Sequence, residues 1–262
     1  MSSIQAYNPE EKPNKFDFQL FLKHLRSRKA DPVLRYIRSF LKNFNQKQWT
    51  TDEQTKLVMD FKEFIAARMQ EYEPFSFMDK HDFENSMFGV EKLVMTKLYE
   101  QTYSPEIPSN IIDETHKKDL EYDEILELNY KEYKDLTAKE LDVDESIAAK
   151  GDYFIKIAGD ELNKLNNFKS PRAKVICILN CCKILFELIK KNDQTQNADE
   201  FLPLLIYTVL KTQTSNLYSN LAFIERFSFN KSSEVQYYLV SLNAASEFIK
   251  NLSREADDND NV

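Results

Sequence analysis

Glycine is nearly missing from this sequence, with only Gly89, Gly151 and Gly159 among 262 residues. Loops that cradle a phosphate need several clustered glycines so that backbone N–H groups can approach the anion. The chain is therefore not expected to hold a nucleotide in a loop of its own, and no cofactor is implied. Cysteine is as scarce, and Cys177, Cys181 and Cys182 lie too close together to build a framework of several bridges. On an apolar run, their spacing reads as small core packing. A closed zinc site wants four ligands, and His24, His81 and His116 are remote in sequence, so no metal is expected. No window approaches the roughly 18 to 20 apolar residues of a membrane span, and the polar start MSSIQAYNPEEKPNK is no secretory signal. An integral membrane segment is thus excluded and the cytosol is the default compartment. A net charge of -8 works against nucleic acid as a partner. Basic clusters such as Lys23 to Lys29 are diluted by neighbouring acids and read as a solvated helix face. GxSxG, HExxH and CxxC motifs are missing, and the histidines lie in the first half, away from any paired carboxylate and cysteine arrangement. Chemistry on a covalent bond is not expected.

What is present is helical patterning. Hydrophobic residues make up 42% of the chain, enough for a sizeable core, and alternation of period two is rare. After about fifteen residues expected to be disordered, a helical pattern starts at Phe16, Phe18, Leu22 and Leu25 and is interrupted at Asp31-Pro32. A second helix carries Leu34, Ile37, Phe40, Leu41 and Phe44. A third, from about Thr51 to Tyr72, repeats the spacing, and a fourth runs from near Asp82 to Tyr99. Four amphipathic helices joined by short polar turns should pack as a bundle over residues 16–112, up to the break marked by Pro105 and Pro108. The second half, 113–254, opens with an acidic, Tyr-rich helix around Glu121 to Lys134 and a loop through Asp142 to Asp152. Ser170-Pro171 fits an N-cap followed by a first-turn proline. The run from Val175 to Ile189 is apolar on almost every side and belongs at a core centre. KNDQTQN then separates it from DEFLPLLIYTVLK. A last helix contains Tyr237, Tyr238 and Leu242, and the acidic tail 255–262 should be disordered.

Two features stand out as candidate sites. Asp199 opens the short apolar helix, where a carboxylate is either a simple cap on exposed N–H groups or a preorganised charge at a helix mouth made rigid by Pro203. On the last helix, Tyr238, Leu242, Ala245, Ile249 and Leu252 form the core stripe. Tyr237 falls about 100° away, beside Ser241, Ala244, Glu247 and Asn251. It should look outward or into a groove, either as an interface tyrosine or as a surface one whose polar tip meets water.

ADEFLPLLIYTVLK (198–211), SNLAFIERF (219–227) and YYLVSLNAASEFIKNL (237–252) resemble the VPS-nine domain, and 160–186 is similar to its earlier helices. ADPVLRYIRSFL and GVEKLVMTKLYEQTYSPEI resemble the helical bundle that precedes the domain in its vacuolar-sorting members. The resemblance covers nearly everything from Phe16 to Leu252. It implies an all-α tandem of bundle and VPS-nine domain that promotes GDP release from a Rab-five-type small GTPase, in both its GDP-bound and nucleotide-free states. In that family the aspartate matching Asp199 reaches towards the phosphate-binding lysine and magnesium position of the GTPase, while the residues matching Pro203 and Tyr237 line the binding surface. A threonine or serine usually stands where this chain has Val240, and a glycine often stands at Gln236. These departures motivate the alternative of a Rab-binding adaptor without exchange activity. The ubiquitin-binding module that many members carry is not expected in this chain, and recruitment to endosomes is expected to be peripheral, through a partner.

Overall fold

The computed structural model describes residues 16–192, 198–229 and 231–252. It is all-α. The first four helices are α1 (Phe18–Leu25), α2 (Asp31–Phe44), α3 (Thr51–Met69) and α4 (Lys80–Thr102). Each bears one buried stripe, such as Val33, Ile37 and Phe44 on α2 or Val58, Phe61, Ile65 and Met69 on α3. Their ends are set by local chemistry. Asp17 and Asp79 cap α1 and α4, and Thr50 with Glu53 closes a reciprocal capping box on α3. Gly89 lets α1 approach closely, since a Cβ there would lie 2.3 Å from the Phe21 ring.

Then follow α5 (Glu114–Glu132), α6 (Glu145–Asn163), α7 (Pro171–Asn192), α8 (Phe201–Thr212), α9 (Leu217–Phe227) and α10 (Ser233–Lys250). The expected loop through Asp142 to Asp152 is corrected, because α6 begins at Glu145. Gly151 is no breaker there: a Cβ would meet Leu188 at 2.7 Å, so the missing side chain is what lets α6 lie against α7. The acidic helix also starts earlier than its sequence suggests, where Asp113 caps it by accepting from the His116 amide. α7 is central, with all three cysteines buried, although Ile176 on one face remains 46% exposed. The first fifteen residues and the acidic tail, both expected to be disordered, lie outside the described residues. Among the described residues no helix is long and apolar enough to cross a membrane.

The chain builds two hydrophobic cores, and α9 serves both. Phe223 and Phe227 enter the core made by α1 to α4, while Leu217, Leu221 and Ile224 enter the core made by α5 to α8 and α10. Buried polar groups fasten the same seam. Glu91 of α4 is fully buried, and its two carboxylate oxygens accept from the amides of Arg172 (2.9 Å) and Phe229 (2.7 Å). Burial pushes its acidity down, with a raised pKa that those two amides partly offset. Replacing one oxygen with an NH₂ group would set a donor against a donor. Glu91→Gln is therefore expected to lose about 1 to 3 kcal/mol of stability in urea unfolding, the penalty of one unsatisfied buried polar group. An unchanged midpoint would remove Glu91 from the joint.

Candidate functional site

α8 does not open at Asp199 as its sequence suggests. A 3-10 turn, Ala198–Glu200, feeds into a helix whose first residue is Phe201. The N-cap is Glu200, and no side chain caps this helix, so Asp199 is not doing the capping job that its position allowed. Its side chain is exposed, and no cation among the described residues pairs with it. A carboxylate near the first turn of a helix is favoured by the macrodipole, which suits an unpaired charge held at this point. Pro203 is partly exposed at the third helical position, where its missing N–H is one that the first turn leaves without an intrahelical acceptor anyway.

Phe201 ties this turn to α10. It is 1% exposed and stacks on Phe186 of α7 with ring centroids 4.2 Å apart. It also lies 6.0 Å from Tyr237 and 6.1 Å from Tyr238. Aromatic pairs at these separations add to burial and restrict one another's rotamers. Asp199, two residues before Phe201, and Tyr237, across from it, thus share one rigid support. Tyr238 faces the core with Leu242, Ala245 and Ile249, and Tyr237 is 46% exposed, as the helical spacing requires. Val240 is 68% exposed one turn along, and Gln236 is exposed with its amide donating to the Lys231 carbonyl. Phe201 therefore links the turn that carries Asp199 to Tyr237 on α10, and Val240 lies one turn further along that helix. Sequence reasoning missed Phe201, the buried link, and Leu202, whose side chain is 37% exposed in the same first turn. The only available signal was an FL pair directly after the acidic turn.

His116 belongs to a buried polar cluster that its place in the sequence does not show. Its Nδ1 lies 2.8 Å from the Ser104 hydroxyl, which donates to Asp119 at 2.6 Å. Arg226 of α9 grips the same carboxylate through two bonds of 2.5 and 2.8 Å. Burial pushes the Asp119 pKa up, but the bonds from His116, Arg226 and Ser104 outweigh it and hold the group below the usual carboxylate range. Serine, histidine and aspartate are each 2% exposed, and the serine proton is committed to the aspartate. The cluster is a strut between α5 and α9, not a nucleophile with its base. For metals, the described residues offer one candidate group, the exposed Asp79, His81 and Asp82, in which Asp79 already caps α4.

Two domain families match the chain. One is the Vacuolar sorting protein 9 (VPS9) domain, over residues 155–254, and the other a domain of unknown function, over residues 35–99. Vacuolar protein sorting-associated protein vps901 of Schizosaccharomyces pombe is 38% identical over 241 residues, covering 90% of this chain and 42% of that protein. Vacuolar protein sorting-associated protein 9A of Oryza sativa is 30% identical over 90% of this chain and 48% of its own length. The Rab5 GDP/GTP exchange factor of Homo sapiens is 30% identical over 86% of this chain and 44% of its own length. The chain spans less than half the length of these relatives. Asp199, Pro203, Tyr237 and Val240 all fall inside the VPS9 match.

Proposed function

This chain carries a VPS9 domain, and on that premise we propose that it is a guanine-nucleotide exchange factor for a Rab5-type small GTPase. The single observation that carries the reading is that an exposed Asp199, with no cation paired to it among the described residues, is linked to Tyr237 through the Phe201 stack. An acidic tip held beside an exposed aromatic residue is what nucleotide displacement needs. GDP and its magnesium are held by opposite charges. A carboxylate entering that site repels the phosphates, competes for the cation and gives the phosphate-binding lysine another partner. Tyr237, Pro203 and Val240 supply binding energy around the tip. Factor and nucleotide then weaken each other's grip by the same factor, as linkage demands. A thousandfold acceleration of release asks for about 4 kcal/mol of differential stabilisation. No covalent bond is made or broken. The chain works from the cytosol, is recruited peripherally to endosomes, and serves vesicle-mediated endocytic and vacuolar sorting.

The test is release of fluorescent GDP from a panel of endocytic Rab GTPases. Acceleration for Rab5-type members is expected, and stable binding of a loaded GTPase without faster release would favour the adaptor reading instead. Val240→Thr restores a hydroxyl at an exposed position. One neutral hydrogen bond is worth about 0.5 to 1.5 kcal/mol, so KM should move by no more than about tenfold with kcat retained. Gain of exchange activity only in the threonine variant would mean that Val240 had silenced the site.

A further inference from the structure

We propose that the GTPase footprint continues beyond Tyr237 and Val240 along the outward face of α10 to Phe248, where an acid-rimmed apolar cavity receives a side chain from a basic segment of the same GTPase. This rests on the exchange reading above. Tyr237, Val240, Ala244 and Phe248 recur at i, i+3, i+7 and i+11, which is one stripe of a 3.6-residue helix. All four are exposed, Phe248 by 43%. At 1.5 Å per residue the stripe runs about 16 Å. Ser241, Glu247 and Asn251 share this outward face, so its apolar positions are set among polar ones, while the opposite face is spent on the core.

The far end of the stripe is a shaped receptor. Phe248 and Leu252 meet Tyr133, Leu136 and Leu141 around a cavity of about 450 Å³. The Asn129 side chain donates to the carbonyls of Ile249 (2.8 Å) and Lys250 (3.0 Å), which fixes the end of α10 against α5. On the other side, Glu140 accepts from the backbone and hydroxyl of Thr137, and those bonds hold its pKa low. The remaining lining residues are Glu132 and Asp135, so every charged group lining the cavity is an acid. Lys131, Lys134 and Lys139, close in sequence, do not line it. An apolar floor with a negative rim selects a hydrophobic side chain flanked by lysine or arginine. Such an anchor lies too far from Asp199 to act on the nucleotide, so it serves recognition and association.

The experiment compares wild type with Phe248→Glu, Asp135→Lys and Tyr237→Ala in GDP-release kinetics, alongside binding of the nucleotide-free GTPase to the immobilised protein. Phe248→Glu is expected to raise KM about tenfold or more while kcat stays within about twofold, the behaviour of a truncated aromatic anchor. Asp135→Lys, at an exposed rim position that folding does not need, should slow association and flatten its dependence on salt. If both variants keep the wild-type KM and affinity while Tyr237→Ala weakens binding, the extended footprint is wrong and the occupant of the cavity is another molecule. If wild type accelerates no release, the exchange reading fails, and the binding arm alone still decides whether Phe248 and Asp135 touch the GTPase.

Discussion

Asp199→Ala is expected to slow GDP release about thirty- to hundredfold while leaving the unfolding transition where it was. The separation of the two effects follows from where the side chain stands. It is exposed, it does not cap α8, and it pairs with no cation among the described residues, so its removal leaves nothing buried and nothing unsatisfied. A surface change of that kind alters stability by less than about 0.5 kcal/mol. In the complex, the same carboxylate would sit in a desolvated groove against a lysine, where a charged hydrogen bond is worth about 1.5 to 3 kcal/mol. Because it meets its target only as the nucleotide leaves, its loss should fall mainly on kcat. Asp199→Asn keeps the shape and removes the charge, and it should lose nearly as much as alanine. An asparagine variant with wild-type rates would mean that Asp199 acts by shape. An alanine variant with wild-type rates would end the displacement mechanism altogether.

The two faces of α10 were legible because burial there follows helical spacing closely. Tyr238, Leu242, Ala245 and Ile249 are buried while Tyr237 and Val240 look out. Asp199 was legible as a position but not as a role, since a cap and a free charge have the same sequence. Only the backbone, with its 3-10 turn and its helix starting at Phe201, separates them. The stretch before Asp152 was misread because its small and charged residues carry little apolar periodicity, and Gly151 within it is a close-packing residue under Leu188. The buried polar seam was illegible for a different reason. Glu91 meets Phe229, and Asp119 meets Arg226, across more than a hundred residues of chain, and no local pattern encodes such pairings. Nor does local spacing show that α9 divides its faces between two cores.

Lys174→Met is expected to be destabilising, and by more at pH 8.5 than at pH 7. Lys174 is fully buried in α7, with Nζ 2.8 Å from the Leu165 carbonyl, 2.5 Å from Asn220 Oδ1 and 3.2 Å from the Tyr99 hydroxyl. The rings of Tyr103 and Phe223 close over it. Among the described residues no carboxylate forms an ion pair with it. Nζ donates to a carbonyl, an amide oxygen and a hydroxyl, all neutral, so none of these partners brings a negative charge to offset the burial of an ammonium. Burial accordingly pushes the pKa down to about 7, against the pull of Cys177 and Glu106. The unfolded lysine titrates near 10.4, so between about pH 7 and 10 the unfolded chain binds the extra proton and the native chain does not. Stability from this residue therefore rises with pH across that window, at up to about 1.4 kcal/mol per unit, or about 1.5 kcal/mol from pH 7 to 8.5. Burial raises the pKa of Cys177 to about 11, and that of Cys182 also lies well above a free thiol, through a hydrogen bond with the free Cys181 and its burial. These thiols act in the opposite sense above about pH 8.5, so the comparison of wild type and variant is made at pH 8.5 and below. Methionine fills much of the volume yet strands Asn220 and Leu165 without their donor, a loss of about 3 kcal/mol at pH 8.5. Urea unfolding of both proteins at three pH values reads the result directly. Lines that run parallel, or that converge as pH rises, would mean that Lys174 is charged in the native seam. Because its partners lie on α4, on α9 and just before α7, loosening it should also loosen the bundle from the VPS9 helices, and the variant's exchange rate should fall together with its stability.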